Sequence, residues 1–95
     1  MAFLFFAFMP FYVYIIQSEM DGSFYKGFTE EPAIRLNRHN NGETLSTRFK
    51  RPWHFVYMEQ LPSKREALVR ERGIKKYSRE QITQLVHSSK NTLDR

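Results

Sequence analysis

Residues 11–28 read FYVYIIQSEMDGSFYKGF, and this stretch decides the fold. Phe11 to Gln17 is β-branched and aromatic at both even and odd positions, the pattern of a strand covered on both faces. Ser18 to Gly22 carries the Asp21-Gly22 pair that favours a tight reversal, and Ser23 to Phe28 resumes strand character, so the two runs predict a hairpin. Setting Ser18 opposite Ser23 pairs Ile16 with Tyr25 and Tyr14 with Gly27. Tyr14 and Tyr25 then become diagonal neighbours on one face.

Working outward, Thr29 or Glu30 is the expected cap of a first helix, with Pro32 in its first turn. The helix runs to about Asn41, where Asn41-Gly42 stops it. Residues 43–52 form a polar, basic loop, and Trp53 to Glu59 a third strand. Ser63 with Glu66 and Ser78 with Gln81 have capping-box spacing and open two further helices. The element string gives an α+β sandwich: a three-stranded antiparallel sheet flanked by helices.

The chain has 95 residues, room for one domain with one modest core. Its 41% hydrophobic and 26% charged residues are an ordinary globular balance. The absence of cysteine excludes disulfides, zinc-thiolate sites and thiol catalysis. A net charge of +5 favours an anionic partner, because Lys and Arg release counterions from a phosphate backbone. Residues 1–8 are an apolar extension too short to span a bilayer, with no basic leader, so neither membrane insertion nor secretion is expected and the chain is assigned to the cytoplasm. They are read as an extra edge strand, a homodimer contact or an upstream extension before Met9-Pro10. The domain is placed at 9–88, with a polar tail over 89–95.

On the second helix Ala67, Leu68 and Ile74 form an apolar stripe that Glu71 interrupts. A carboxylate on a core-facing stripe requires a partner, either a cation such as Arg35 or a nearby Lys, or a divalent metal ion. Periodicity leaves both open. Arg35 and His39 are four apart on the first helix, on one face, where they could address a single phosphate or form part of a solvated basic face. Taken alone, Tyr14 and Tyr25 read as core aromatics with hydroxyls at the edge.

The joint spacing resembles the GIY-YIG nuclease domain. The residues that carry the likeness are Tyr12-Val13-Tyr14, Tyr25-Lys26-Gly27 eleven residues on, Arg35 ten further, His39 four after that, and Ala67, Glu71 and Lys75. The likeness spans about residues 11–82 and is nearest the small single-domain bacterial branch related to the excision-repair incision subunit. The first motif lacks the eponymous glycine and the second the isoleucine. Asn91 is the nearest residue to the family's late polar position.

The resemblance implies a metal-dependent phosphodiesterase. Glu71 would hold one Mg²⁺, or Mn²⁺ as substitute, and Arg35 would bind a nonbridging phosphate oxygen. Tyr14 would act as base or water positioner, with Tyr25 and His39 assisting. An ordinary tyrosine is a poor base at neutral pH, so Lys26, Arg35 or the metal is expected to lower its pKa. Lys26, Arg48, Lys50, Arg51, Lys75 and Lys76, together with Arg79, are the expected nucleic-acid contacts. DNA recognised by shape, branched, flapped, nicked or single-stranded, in repair or recombination, is the expected partner. The alternative is a nucleic-acid-binding module of the same fold with weak or no catalysis.

Overall fold

The computed structural model describes residues 10–93. Residues 1–9 and 94–95, and with them the expectations for the apolar extension, lie outside the described residues. Strands β1 (Phe11–Ser18), β2 (Phe24–Thr29) and β3 (Trp53–Leu61) form one antiparallel sheet in the order β2-β1-β3. Helices α1 (Pro32–Asn40), α2 (Lys64–Lys75) and α3 (Arg79–Val86) cover its two faces.

The central position of β1 explains its unbroken apolar run. Val13 and Ile15 point into one core with Tyr57, Ala67, Ile74, Ile82 and Leu85, the side taken by α2 and α3. Tyr14 and Ile16 point into a second core with Trp53, flanked by Tyr25, Leu36, Phe55 and Met58, the side taken by α1. A strand serving two cores needs apolar residues at every position. The hairpin register agrees with the sequence reading, with Ile16 opposite Tyr25 and Tyr14 opposite Gly27.

Between β1 and β3 the register shifts at Ile15/Ile16: Tyr57 pairs with Ile15 and Phe55 with Ile16, leaving Val56 as an extra residue. This bulge lets Val56 and Tyr57 serve one core while Phe55 and Met58 serve the other. The price in unpaired backbone is met from the polar segment after α3. Asn91 Nδ2 donates to the Val56 carbonyl at 2.8 Å and to that of Val86 at 2.9 Å, while its Oδ1 accepts from Met58 N at 3.1 Å. Thr92 N adds a bond to Met58 O at 2.8 Å, so this part of the polar segment lies along the free edge of β3.

Helix starts divide between local and non-local causes. Ser78 and Gln81 form the full reciprocal capping box. Ser63 accepts from Glu66 N, one half of such a box. The first helix is capped at Glu31, not at Thr29 or Glu30, and Glu31 makes no side-chain cap bond. Thr29 Oγ1 instead accepts from Glu31 N at 3.1 Å, holding the turn before the helix. At the other end Asn40 exchanges two bonds with Trp53, through Nδ2 to the carbonyl at 3.0 Å and from the amide to Oδ1 at 2.7 Å. That clamp fixes both ends of the 41–52 loop against β3.

Candidate active site

Strand alternation places Tyr14, Ile16, Tyr25 and Gly27 on the α1 face of the hairpin. Gly27 matters there because it has no side chain: a Cβ at this position would lie 2.6 Å from the Tyr14 hydroxyl oxygen and 2.8 Å from the adjoining ring carbon. The Tyr14 ring therefore lies over the Gly27 backbone. It is held further by edge contacts to Phe55 and His39, each at 6.0 Å between ring centroids. Tyr25 meets the same imidazole edge-on at 5.0 Å.

His39 comes from the last turn of α1 and is 0% exposed, as is Thr47 in the following loop; Tyr14 is 1% exposed. The Tyr14 hydroxyl is 2.9 Å from His39 Nε2, and His39 Nδ1 is 2.8 Å from Thr47 Oγ1. Thr47 Oγ1 donates to the Thr44 carbonyl at 3.4 Å, which leaves its lone pairs for the imidazole. The direction of the chain depends on the imidazole tautomer: with the Thr47 proton on the Thr44 carbonyl, Thr47 would accept from Nδ1–H, and Nε2 from the Tyr14 O–H.

Burial pushes the Tyr14 hydroxyl up to about 12, outweighing the nearby Arg35 guanidinium, which acts on it as a charge and as a hydrogen-bond donor. The expectation that Lys26 or Arg35 lowers this pKa is thus reversed, because a phenolate in the core loses its water. Lys26 cannot assist. It pairs opposite Ile15, on the other face of the hairpin, where burial lowers its own pKa. His39 is lowered to about 4, first by burial and then by Arg35, so the imidazole is neutral near pH 7. Arg35 and His39 lie four apart on the same helix, but His39 is fully buried against Tyr14.

The depressed His39 value has a stability consequence. The unfolded chain takes up a proton near pH 6.5 and the folded one only near 4. The contribution is fully present above 6.5 and is lost as pH falls through 4, about 3 kcal/mol across that window. Urea unfolding at pH 7 and pH 4 should show the loss, and His39→Gln should flatten it; an unchanged slope in the variant would contradict this assignment.

Glu71 projects from α2 with its side chain 12% exposed. Its ion pair is Lys75 one turn on, at 3.7 Å, a long contact to a half-exposed ammonium. The salt-bridge alternative is therefore met by Lys75 rather than by Arg35. Glu71 also acts as a charge on the Tyr14 hydroxyl, raising its pKa, so two oppositely charged side chains, Arg35 and Glu71, bear on one buried oxygen. No cluster of three or more His, Asp or Glu side chains stands together among the described residues. A lone, loosely paired carboxylate fits a hard ion that keeps most of its waters, as Mg²⁺ does.

The basic residues divide. Arg48 is partly buried with Nε unbonded, and its guanidinium lies 6.0 Å from the ring of the exposed Phe49. Lys50 pairs with Asp21 at 3.4 Å, and Arg51 packs where a Gly42 Cβ would sit. Lys76 is exposed at the end of α2. Arg79 is engaged elsewhere, donating to Gly22 O at 3.2 Å and lying 4.9 Å over Phe24, so it ties α3 to the hairpin. Thr47 was not legible as a site residue, since one threonine in a polar loop carries no periodic signal.

The model for the GIY-YIG catalytic domain matches residues 10–84. UPF0213 proteins of Staphylococcus aureus strains Mu3 and Mu50 are 40% identical over 76 residues, covering 79% of this chain and 92% of theirs. The solution NMR structure of a UPF0213 protein from Bacillus halodurans superposes with a TM-score of 0.56 at 35% identity, covering 88% of this chain and 89% of that one. Among the described residues no helix is long and apolar enough to cross a membrane.

Proposed function

The chain belongs to the GIY-YIG family, whose domain is that of nuclease-type phosphodiesterases, and from that premise we propose that it is a metal-dependent DNA endonuclease. The observation that carries the reading is the buried Tyr14–His39 hydrogen bond with Arg35 and Glu71 both acting on the same hydroxyl. A tyrosine kept protonated at neutral pH is a poor base by itself, yet it can pass a proton. Water would give its proton to the Tyr14 oxygen as the Tyr14 proton moves to His39 Nε2, leaving an imidazolium whose Nδ1–H stays on Thr47. The hydroxide forms the new P–O bond as the bond to the leaving oxygen breaks.

Arg35 would hold a nonbridging oxygen, and the phosphate's negative charge would then offset the guanidinium, which after burial is the second cause disfavouring His39 protonation. Tyr25, edge-on to His39, would hold the imidazole in line. Glu71 would hold one Mg²⁺, with Mn²⁺ as substitute, and the ion would neutralise charge on the phosphate and the departing oxygen. Lys26, Arg48, Lys50, Arg51, Lys75 and Lys76 would make phosphate contacts that position DNA without reading its sequence. We place the substrate among branched, flapped, nicked or single-stranded DNA, the process in repair or recombination, and the protein in the cytoplasm.

The test is cleavage of labelled DNA of each kind with Mg²⁺ and with EDTA. Cutting that needs the metal is the expected result. Binding without cutting of any substrate would replace this reading with that of a nucleic-acid-binding module.

A further inference from the structure

We infer that Thr47 is a positioning residue of the reaction: by accepting the His39 Nδ1–H, it sets the tautomer whose bare Nε2 receives the Tyr14 proton. The inference rests on the proposed phosphodiester hydrolysis for its catalytic meaning, while the tautomer itself is a property of the folded chain. A neutral imidazole has one N–H, and the two tautomers place it on opposite sides of the ring. With the proton on Nε2, His39 could only donate to the Tyr14 oxygen, and the path for a proton leaving Tyr14 would be closed.

Three features give Thr47 control of that choice. It is 0% exposed, so no bulk water competes for Nδ1. Its hydroxyl proton is directed to the Thr44 carbonyl, and its amide donates to the same carbonyl at 3.1 Å, so the oxygen presents lone pairs to the ring. Its own carbonyl accepts from Trp53 Nε1 at 2.9 Å, anchoring the residue to the start of β3. The 41–52 loop is thus held at Asn40, Thr47 and Trp53, and its one buried hydroxyl meets the one buried imidazole among the described residues. A hydroxyl wanted only for packing would be as well served by valine of the same shape.

The experiment uses the full chain. In ¹⁵N-labelled wild type, the histidine nitrogen shifts should show His39 protonated on Nδ1 and bare on Nε2. Thr47→Val should move the proton to Nε2 or mix the two forms, and lower kcat about tenfold with KM for DNA little changed. Thr47→Ser, which keeps the oxygen, should restore both the tautomer and the rate. A wild-type His39 carrying its proton on Nε2 overturns the inference without any variant. So does a folded Thr47→Val that loses rate with the Nδ1–H form intact, since that is a structural effect. Should the wild type cut no DNA, the proposed function fails, and the nitrogen shifts still decide who sets the tautomer.

Discussion

Glu71→Ala should abolish metal-dependent cutting, by about a thousandfold or more, while DNA binding and folding survive. The rate argument is electrostatic. If the single carboxylate holds the ion, its removal forfeits several kcal/mol of charge stabilisation at the phosphate, and about 4 kcal/mol corresponds to three orders of magnitude. The stability argument runs the other way. The side chain is largely buried, its ion pair with Lys75 is long, and alanine is the better helix former, so unfolding should be unchanged or slightly harder. A residue whose loss costs activity but no stability serves a ligand rather than the core. Cleavage assays across Mg²⁺ concentration, paired with urea unfolding, separate the two. Full cutting by Glu71→Ala would remove the metal from this position, and a large loss of stability would make Glu71 a structural ion-pair residue.

The second large effect comes from a residue with no side chain. Gly27→Ala puts a methyl group 2.6 Å from the Tyr14 hydroxyl oxygen, closer than any real contact, and the ring is boxed in by Phe55, His39 and the sheet. The ring has to shift. Overpacking of this kind costs about 1–3 kcal/mol in stability. A displacement of about 1 Å in a group that must meet both a water and His39 Nε2 costs about a hundredfold in rate. Backbone conformation is not the cause, since Gly27 lies in regular strand paired with Tyr14. Measuring kcat beside the unfolding midpoint checks this. If Gly27→Ala retained wild-type turnover, the position of the Tyr14 hydroxyl would not matter to the chemistry.

The two sites differ in how they could be read from the chain. Glu71 announces itself, because a carboxylate on an apolar helical stripe breaks a period of 3.6 that the surrounding Ala67, Leu68 and Ile74 define. The hairpin is equally plain: the Asp21-Gly22 turn fixes the register, and the register puts Tyr14 beside Tyr25 and opposite Gly27. Sheet and helices follow from the same kind of signal, local in sequence and set by alternation, turn chemistry and caps. The family likeness adds order and spacing across the chain, which individual residues do not supply.

What the tertiary structure alone decided are relations between residues distant in sequence. The Tyr14–His39–Thr47 chain joins a strand, a helix end and a loop, and nothing in residues 43–52 marks Thr47 above its neighbours. Asn91 settles on the Val56 bulge because a bulge frees a carbonyl that some polar group must satisfy. Arg79, basic and near the helices, turns to Gly22 and Phe24 instead of outward. The sign of the Tyr14 shift was also beyond sequence: counting cations nearby predicts a lower pKa, whereas the outcome depends on how much water the fold removes. Local pattern specifies which elements form and which way they face; burial and long-range contact specify which side chains are left able to do chemistry, because both depend on atoms the neighbouring sequence does not contain.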